Sequence, residues 1–141
     1  MQTRKIITLA ILVISLILTG CSSTKTPTVS LDGTRWLLTR LPSGPALTDT
    51  TVTIEFLDGK IDGSDGCNSY GGTVIVKGSK ITVGEDMAST LMACPDPIMQ
   101  QASAFYEALK KSASYQVDGQ QLMLLDASGQ IVATFTRQSS E

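Results

Sequence analysis

The chain has 141 residues, too few for two ordinary domains and enough for one with a single core. Eleven Lys and Arg stand against thirteen Asp and Glu with no basic cluster, so a nucleic-acid surface is not expected. Histidine is absent, which removes His-based triads, imidazole proton shuttles and most zinc sites.

Taken in order, Arg4-Lys5 precedes an apolar run from Ile6 to Leu18. As a helix that run reaches roughly 20 Å, short of a hydrocarbon core of roughly 30 Å. A charged start, a short apolar stretch and small residues at its end predict a secretory signal over 1–20 rather than an anchor helix. Leu18-Thr19-Gly20-Cys21 resembles a bacterial lipobox. That implies cleavage before Cys21 and acylation of its sulfur and new amino group, so the first expected partner is a membrane, held through a lipid anchor. Ser22 follows, rather than the Asp common in lipoproteins retained in the inner membrane. The expected place is therefore the cell envelope, at the periplasmic face of the outer membrane if the host has two membranes. Residues 21–30, rich in Ser, Thr and Pro, predict a lipidated, flexible tether.

The folded domain is expected over 31–138. Thr34-Arg35-Trp36-Leu37-Leu38 reads as a strand with Trp36 and Leu38 on one face, the tryptophan as core. Residues 41–49, with Pro42, Gly44 and Pro45, read as a loop. Val52, Ile54 and Phe56 alternate inward, and Asp58-Gly59 signals a hairpin into Lys60-Ile61-Asp62. Gly63-Ser64-Asp65-Gly66-Cys67-Asn68-Ser69-Tyr70-Gly71-Gly72 follows. Glycines for backbone freedom and Asp, Asn and Ser for self-bonding predict a shaped turn.

Thr73 to Val76 and Ile81 to Val83 are the next predicted strands. Residues 85–94 read as irregular, with Met87 and Met92 as gap-fillers and Met92-Ala93-Cys94 as a second marked triplet. Asp96 as cap and Pro97 at the first helical position predict a helix carrying Ile98, Ala102, Phe105 and Leu109 on one stripe. Lys110 and Lys111 suit its negative end. Strands around Ser114–Val117, Leu122–Leu125 and Ile131–Phe135 complete the chain. The fold class is α+β: a strongly bent antiparallel sheet or partly open β-barrel of about seven to eight short strands packed with one helix.

Tests for chemistry fail one after another. Counted from Asp58, the third position of a calcium loop is Lys60 and the twelfth Ser69; counted from Asp62, the fifth is Gly66 and the twelfth Thr73. Nothing matches a Walker loop, a G-x-G-x-x-G turn or a C-x-x-C pair, and the Ser-x-x-Lys spacing occurs only at Ser22 and Lys25, in the tether. Asp62 and Asp65 are read as turn caps before they are read as an acid pair. No catalytic residue, metal or cofactor is expected. With Cys21 acylated, Cys67 and Cys94 remain, and an exported domain invites their pairing, which would stabilise by roughly 3.5 kcal/mol. The other reading is two buried thiols that never pair, since the spacing in sequence does not fix whether their Cα atoms lie within the roughly 7 Å a bond requires.

Together, "LDGTRWLL", the run Gly63-Ser64-Asp65-Gly66-Cys67-Asn68 with Tyr70 and Gly71, the Met92-Ala93-Cys94 triplet and "LMLLDASGQIVATF" resemble the META domain, the family that includes HslJ-type heat-shock lipoproteins. The resemblance implies a non-enzymatic envelope lipoprotein linked to stress tolerance, acting by binding an unidentified protein or lipid. The alternative it implies is a pilotin-like module that holds an apolar ligand within a secretion or envelope-assembly system.

Overall fold

The computed structural model describes residues 29–139. The expected signal over 1–20, Cys21 and most of the tether lie outside the described residues. The elements are β1 (Thr34–Leu41), β2 (Gly44–Pro45), β3 (Thr53–Leu57), β4 (Lys60–Ser64), β5 (Ser69–Lys77), β6 (Lys80–Val83), β7 (Ala88–Ser89), α1 (Asp96–Lys111), β8 (Ser114–Asp118), β9 (Gln121–Leu125) and β10 (Ile131–Gln138).

Short turns force antiparallel neighbours, and the pairing order β10-β9-β8-β6-β5-β4-β3-β1 closes into a ring because β1 also pairs with β10. The ring is uneven. β1 and β10 match over a long register from Arg35–Gln138 to Arg40–Thr134, whereas β6 and β8 meet only at Lys80 and Ser114. β2 and β7 are two-residue strands on β1 and β5. They lie in segments whose sequence reads as loop and as irregular, and each is too short to leave an alternation pattern.

The alternating positions face inward as expected. Trp36, Ile54, Phe56, Ile61, Ile81, Leu122, Leu124 and Phe135 are all fully buried. Trp36 donates its indole N–H to Thr34 Oγ1 at 2.7 Å, which satisfies its one polar group inside the core. Asp58 and Gly59 both take positive φ, 50° and 74°, the geometry of a two-residue hairpin turn.

Helix α1 lays Ala102, Phe105, Ala108 and Leu109 into the ring, with Ile98 only half-buried. Phe105 meets Tyr70 edge-on at 5.5 Å and Phe135 at 6.4 Å. The helix start corrects the expectation by one residue. Pro95, not Asp96, is the N-cap, and its carbonyl accepts from Ile98 N and Met99 N. Pro97 therefore sits one position further in, still within the first turn, where a missing N–H costs no intrahelical bond. Lys110 and Lys111 do occupy the last turn. Among the described residues no helix is long and apolar enough to cross a membrane.

Candidate functional site

The glycine-rich motif is less of a turn than its composition suggests. Gly63 and Ser64 end β4, and Ser69 to Gly72 begin β5. Only Asp65 to Asn68 is the reversal. Ladder pairing from Ser64–Ser69 to Asp62–Gly71 extends the two strands into it. Gly63 is required by a close approach: a Cβ there would run into the Thr53 carbonyl, with Thr53 C at 2.8 Å. Gly66 holds φ near 96°, and a Cβ there would sit 2.8 Å from Thr50 Oγ1.

Asp65 organises the reversal. It is 1% exposed. Its Oδ1 accepts from Cys67 N at 2.8 Å and Asn68 N at 2.6 Å, and its own N–H donates to Asn68 O at 2.9 Å. Its Oδ2 accepts from the Tyr106 hydroxyl of α1 at 2.8 Å. Asp62 is exposed on β4. An odd offset along extended chain sends side chains to opposite faces, so the two carboxylates do not form a pair.

Asn68 performs the second fastening. Its Oδ1 accepts from Thr90 Oγ1 at 2.9 Å and Met92 N at 2.7 Å, pulling the segment after β7 onto the turn. Cys67 and Cys94 are joined by a disulfide with Cα atoms 6.0 Å apart. Tyr70 supplies the third: its hydroxyl donates to Thr53 O at 2.9 Å, and its ring meets Tyr106 edge-on at 5.7 Å. Burial, together with the nearby negative charge, pushes the Tyr70 phenol well above its ordinary range. Burial and the hydrogen bond to Asp65 raise Tyr106 as well.

Asp65, Cys67, Asn68 and Tyr70 thus tie the reversal to α1, the 89–94 segment and β3. Cys67 is bonded, and Asp65 has its acceptors filled. Among the described residues no cluster of acidic or sulfur ligands could hold a metal. The partners that complete the corner, Thr50, Thr53, Thr90 and Tyr106, carry no motif-like signal. They come from elsewhere in the chain, as far as 41 positions away for Tyr106 and Asp65.

The corner also exposes apolar surface. Met92, expected as a gap-filler, is 56% exposed, and Leu91 beside it is 96% exposed. The reason is the fastening itself: Asn68 binds the Met92 amide and the disulfide holds Cys94, so the backbone is turned inward and the side chains outward. Met99 joins them from the first turns of α1. Met87 does fill a gap, lying against Gly72. Next to this lip runs an open groove of about 670 Å³ between Val83, Met87 and Ser89 on one side and Tyr106, Leu109 and Lys110 on the other.

The sequence model of the META domain family matches residues 29–139. An NMR structure of a protein from Burkholderia xenovorans is 27% identical, with a TM-score of 0.63 over 78% of this chain and 85% of that one. A second NMR structure is 27% identical, with a TM-score of 0.61 over 75% and 90%. The crystal structure of a DUF4847 family protein from Bacteroides vulgatus shares the fold at 17% identity, with a TM-score of 0.58 over 79% and 96%. No curated protein matches the chain significantly.

Proposed function

The chain belongs to the META domain family, and from that premise we propose that it is a non-enzymatic, HslJ-like envelope lipoprotein, anchored through Cys21, that serves stress tolerance by binding an apolar partner at the corner formed by the motif. The observation that carries the reading is the exposure of Leu91 and Met92 on a segment fastened from beneath. A flexible loop could fold such side chains away; this one is held by the Asn68 bonds and the disulfide. Burying one such side chain is worth about 1.5–3 kcal/mol, so a partner that covers both gains affinity without ordering a loop first. The engagement of Asp65 and Cys67 within the corner supports a binding role over a catalytic one.

The alternative, a module that holds an apolar ligand as a pilotin-like domain would, is supported by the open groove beside α1. The filled core favours the first reading, because aromatic and aliphatic side chains occupy the centre of the ring. The deciding experiment compares wild type with Leu91→Ser combined with Met92→Ser at matched expression. The expected result is lost stress survival with an unchanged melting temperature, since both side chains lie outside the core. Full survival of the double variant would remove the lip as the binding surface.

A further inference from the structure

We propose that the opposite end of the ring rests on the membrane surface, with Val29, Leu57 and Val76 seated in the headgroup boundary and the disulfide corner turned away from it. The proposal rests on the anchoring at Cys21 argued above and adds the orientation of the domain.

The described chain begins at this end, and its entry is fixed. The Val29 carbonyl accepts from the Tyr115 hydroxyl at 2.9 Å, and Leu31 is buried as a plug. Asp32 Oδ1 accepts from Asp58 N at 2.8 Å, and Gly33 N donates to Phe56 O at 2.7 Å. Around the entry lies a cleft of about 300 Å³ lined in part by Leu31, Phe56, Leu57, Lys60, Val74 and Val76. Leu57 and Val76 are exposed on its rim, and Val29 stands exposed beside it.

Chain length sets which end can reach the bilayer. From Cys21 to Val29 the chain spans at most about 28 Å at full stretch. The β3–β4 turn at this end and the Asp65 reversal are the two ends of β4, separated by roughly 20 Å at strand rise. The entry end therefore lies on the bilayer without spending that reach, whereas bringing Leu91 there would use about 20 of the roughly 28 Å in running back along the domain. Leu57 and Val76 belong to neighbouring hairpins, so they would touch the surface together. Lys60 lies on the cleft, and Lys77 and Lys80 flank the tip of the second hairpin, all three exposed. Asp32, Asp58 and, at the end of β8, Asp118 share this end, and the three lysines outnumber them only together with Arg137, whose N–H donates to Gln120 O of the β8–β9 turn. Apolar side chains ringed by lysine suit an anionic phospholipid surface, with the aliphatic groups at the acyl boundary and the ammonium groups among the phosphates.

The test uses full-length, lipidated protein reconstituted into phosphatidylethanolamine and phosphatidylglycerol vesicles whose acyl chains carry a nitroxide quencher. Leu57→Cys, Val76→Cys and Leu91→Cys are each labelled with an environment-sensitive fluorophore; all three positions are exposed, and melting curves check the fold. Flotation of the protein with the vesicles reports the anchor. Fluorophores at 57 and 76 are expected to lose most of their emission to the quencher and shift to the blue, while the one at 91 keeps its aqueous spectrum. Protein that floats with positions 57 and 76 as unquenched as 91 overturns the orientation and leaves the anchor standing. Protein that does not float overturns the anchoring and the orientation with it.

Discussion

Replacing Asp65 separates a structural corner from an active one. Asp65→Ala removes the acceptor of three donors at once: the amides of Cys67 and Asn68 and the Tyr106 hydroxyl. Each stranded donor in a buried place costs about 1–3 kcal/mol. Because the three share one carboxylate and the corner can relax, about 3–5 kcal/mol in total is expected. For a domain of this size, at about 4 °C per kcal/mol, that is a fall in melting temperature of roughly 12–20 °C. Asp65→Asn keeps one carbonyl oxygen for the two amides. Its new NH₂ faces the Tyr106 oxygen, and the phenol turns from donor to acceptor, so the loss should be about 1 kcal/mol. Tyr106→Phe should cost a similar amount, and the Asp65→Asn, Tyr106→Phe pair should fall short of additivity by more than about 0.5 kcal/mol. Urea unfolding at constant m-value gives the energies, and stress survival at matched expression gives the function. The structural role of Asp65 is refuted if Asp65→Ala lies within about 1 kcal/mol of wild type. It is also refuted if Asp65→Asn melts normally and loses survival, since a carboxylate-dependent site would then be the better account.

Two further outcomes follow from the same contacts. With a separation of 27 positions, removing the Cys67–Cys94 bond by paired alanine substitution should cost about 3.5 kcal/mol at most, and less where the Asn68 clamp keeps the 89–94 segment in place. Reductant should lower the melting temperature of wild type by the same amount and leave the variant unmoved; two alkylatable thiols in folded, natively exported protein would contradict the bond. On the alkaline side, Tyr70 is raised above its usual 10.0 by burial first and by neighbouring negative charge second. A phenol raised in the folded state contributes stability that is complete below the unfolded value and is lost as pH climbs from there towards the folded one. Melting temperature should therefore fall above a pH of about 10, and Tyr70→Phe should flatten the fall; equal slopes for the two proteins would show that Tyr70 is not the group responsible.

Much of the fold was legible because it is written in local signals. Period-two alternation at Val52, Ile54 and Phe56 and the Asp58-Gly59 turn mark one hairpin, and the stripe from Ala102 to Leu109 marks the helix face. What stayed hidden has no local code. β2 and β7 are two residues each, and β7 exists because Tyr70 and Gly71 pair with Ser89 and Ala88 across the motif. The exposure of Met92 was likewise unreadable. Methionine is a gap-filler when its backbone is free to place it, and here the backbone is placed by Asn68.

The motif shows the same division more sharply. Its residue types announce backbone freedom and self-bonding, and Asp65 does bond its own turn at Cys67 and Asn68. The composition cannot say that the other carboxylate oxygen reaches α1, or that Asn68 bonds forward to Thr90 and Met92. Those bonds change what the motif is. A self-contained turn would tolerate a moved helix; this one couples the helix, the 89–94 segment and β3 through Tyr106, Asn68 and Tyr70. Loss of any one should loosen the others, because each bond orders a group that the next bond uses. It follows that the lip carrying Leu91 and Met92 is only as rigid as the buried network beneath it. Substitutions at Asp65 or Asn68 should then weaken the proposed partner binding in proportion to stability, whereas substitutions at Leu91 should weaken that binding alone.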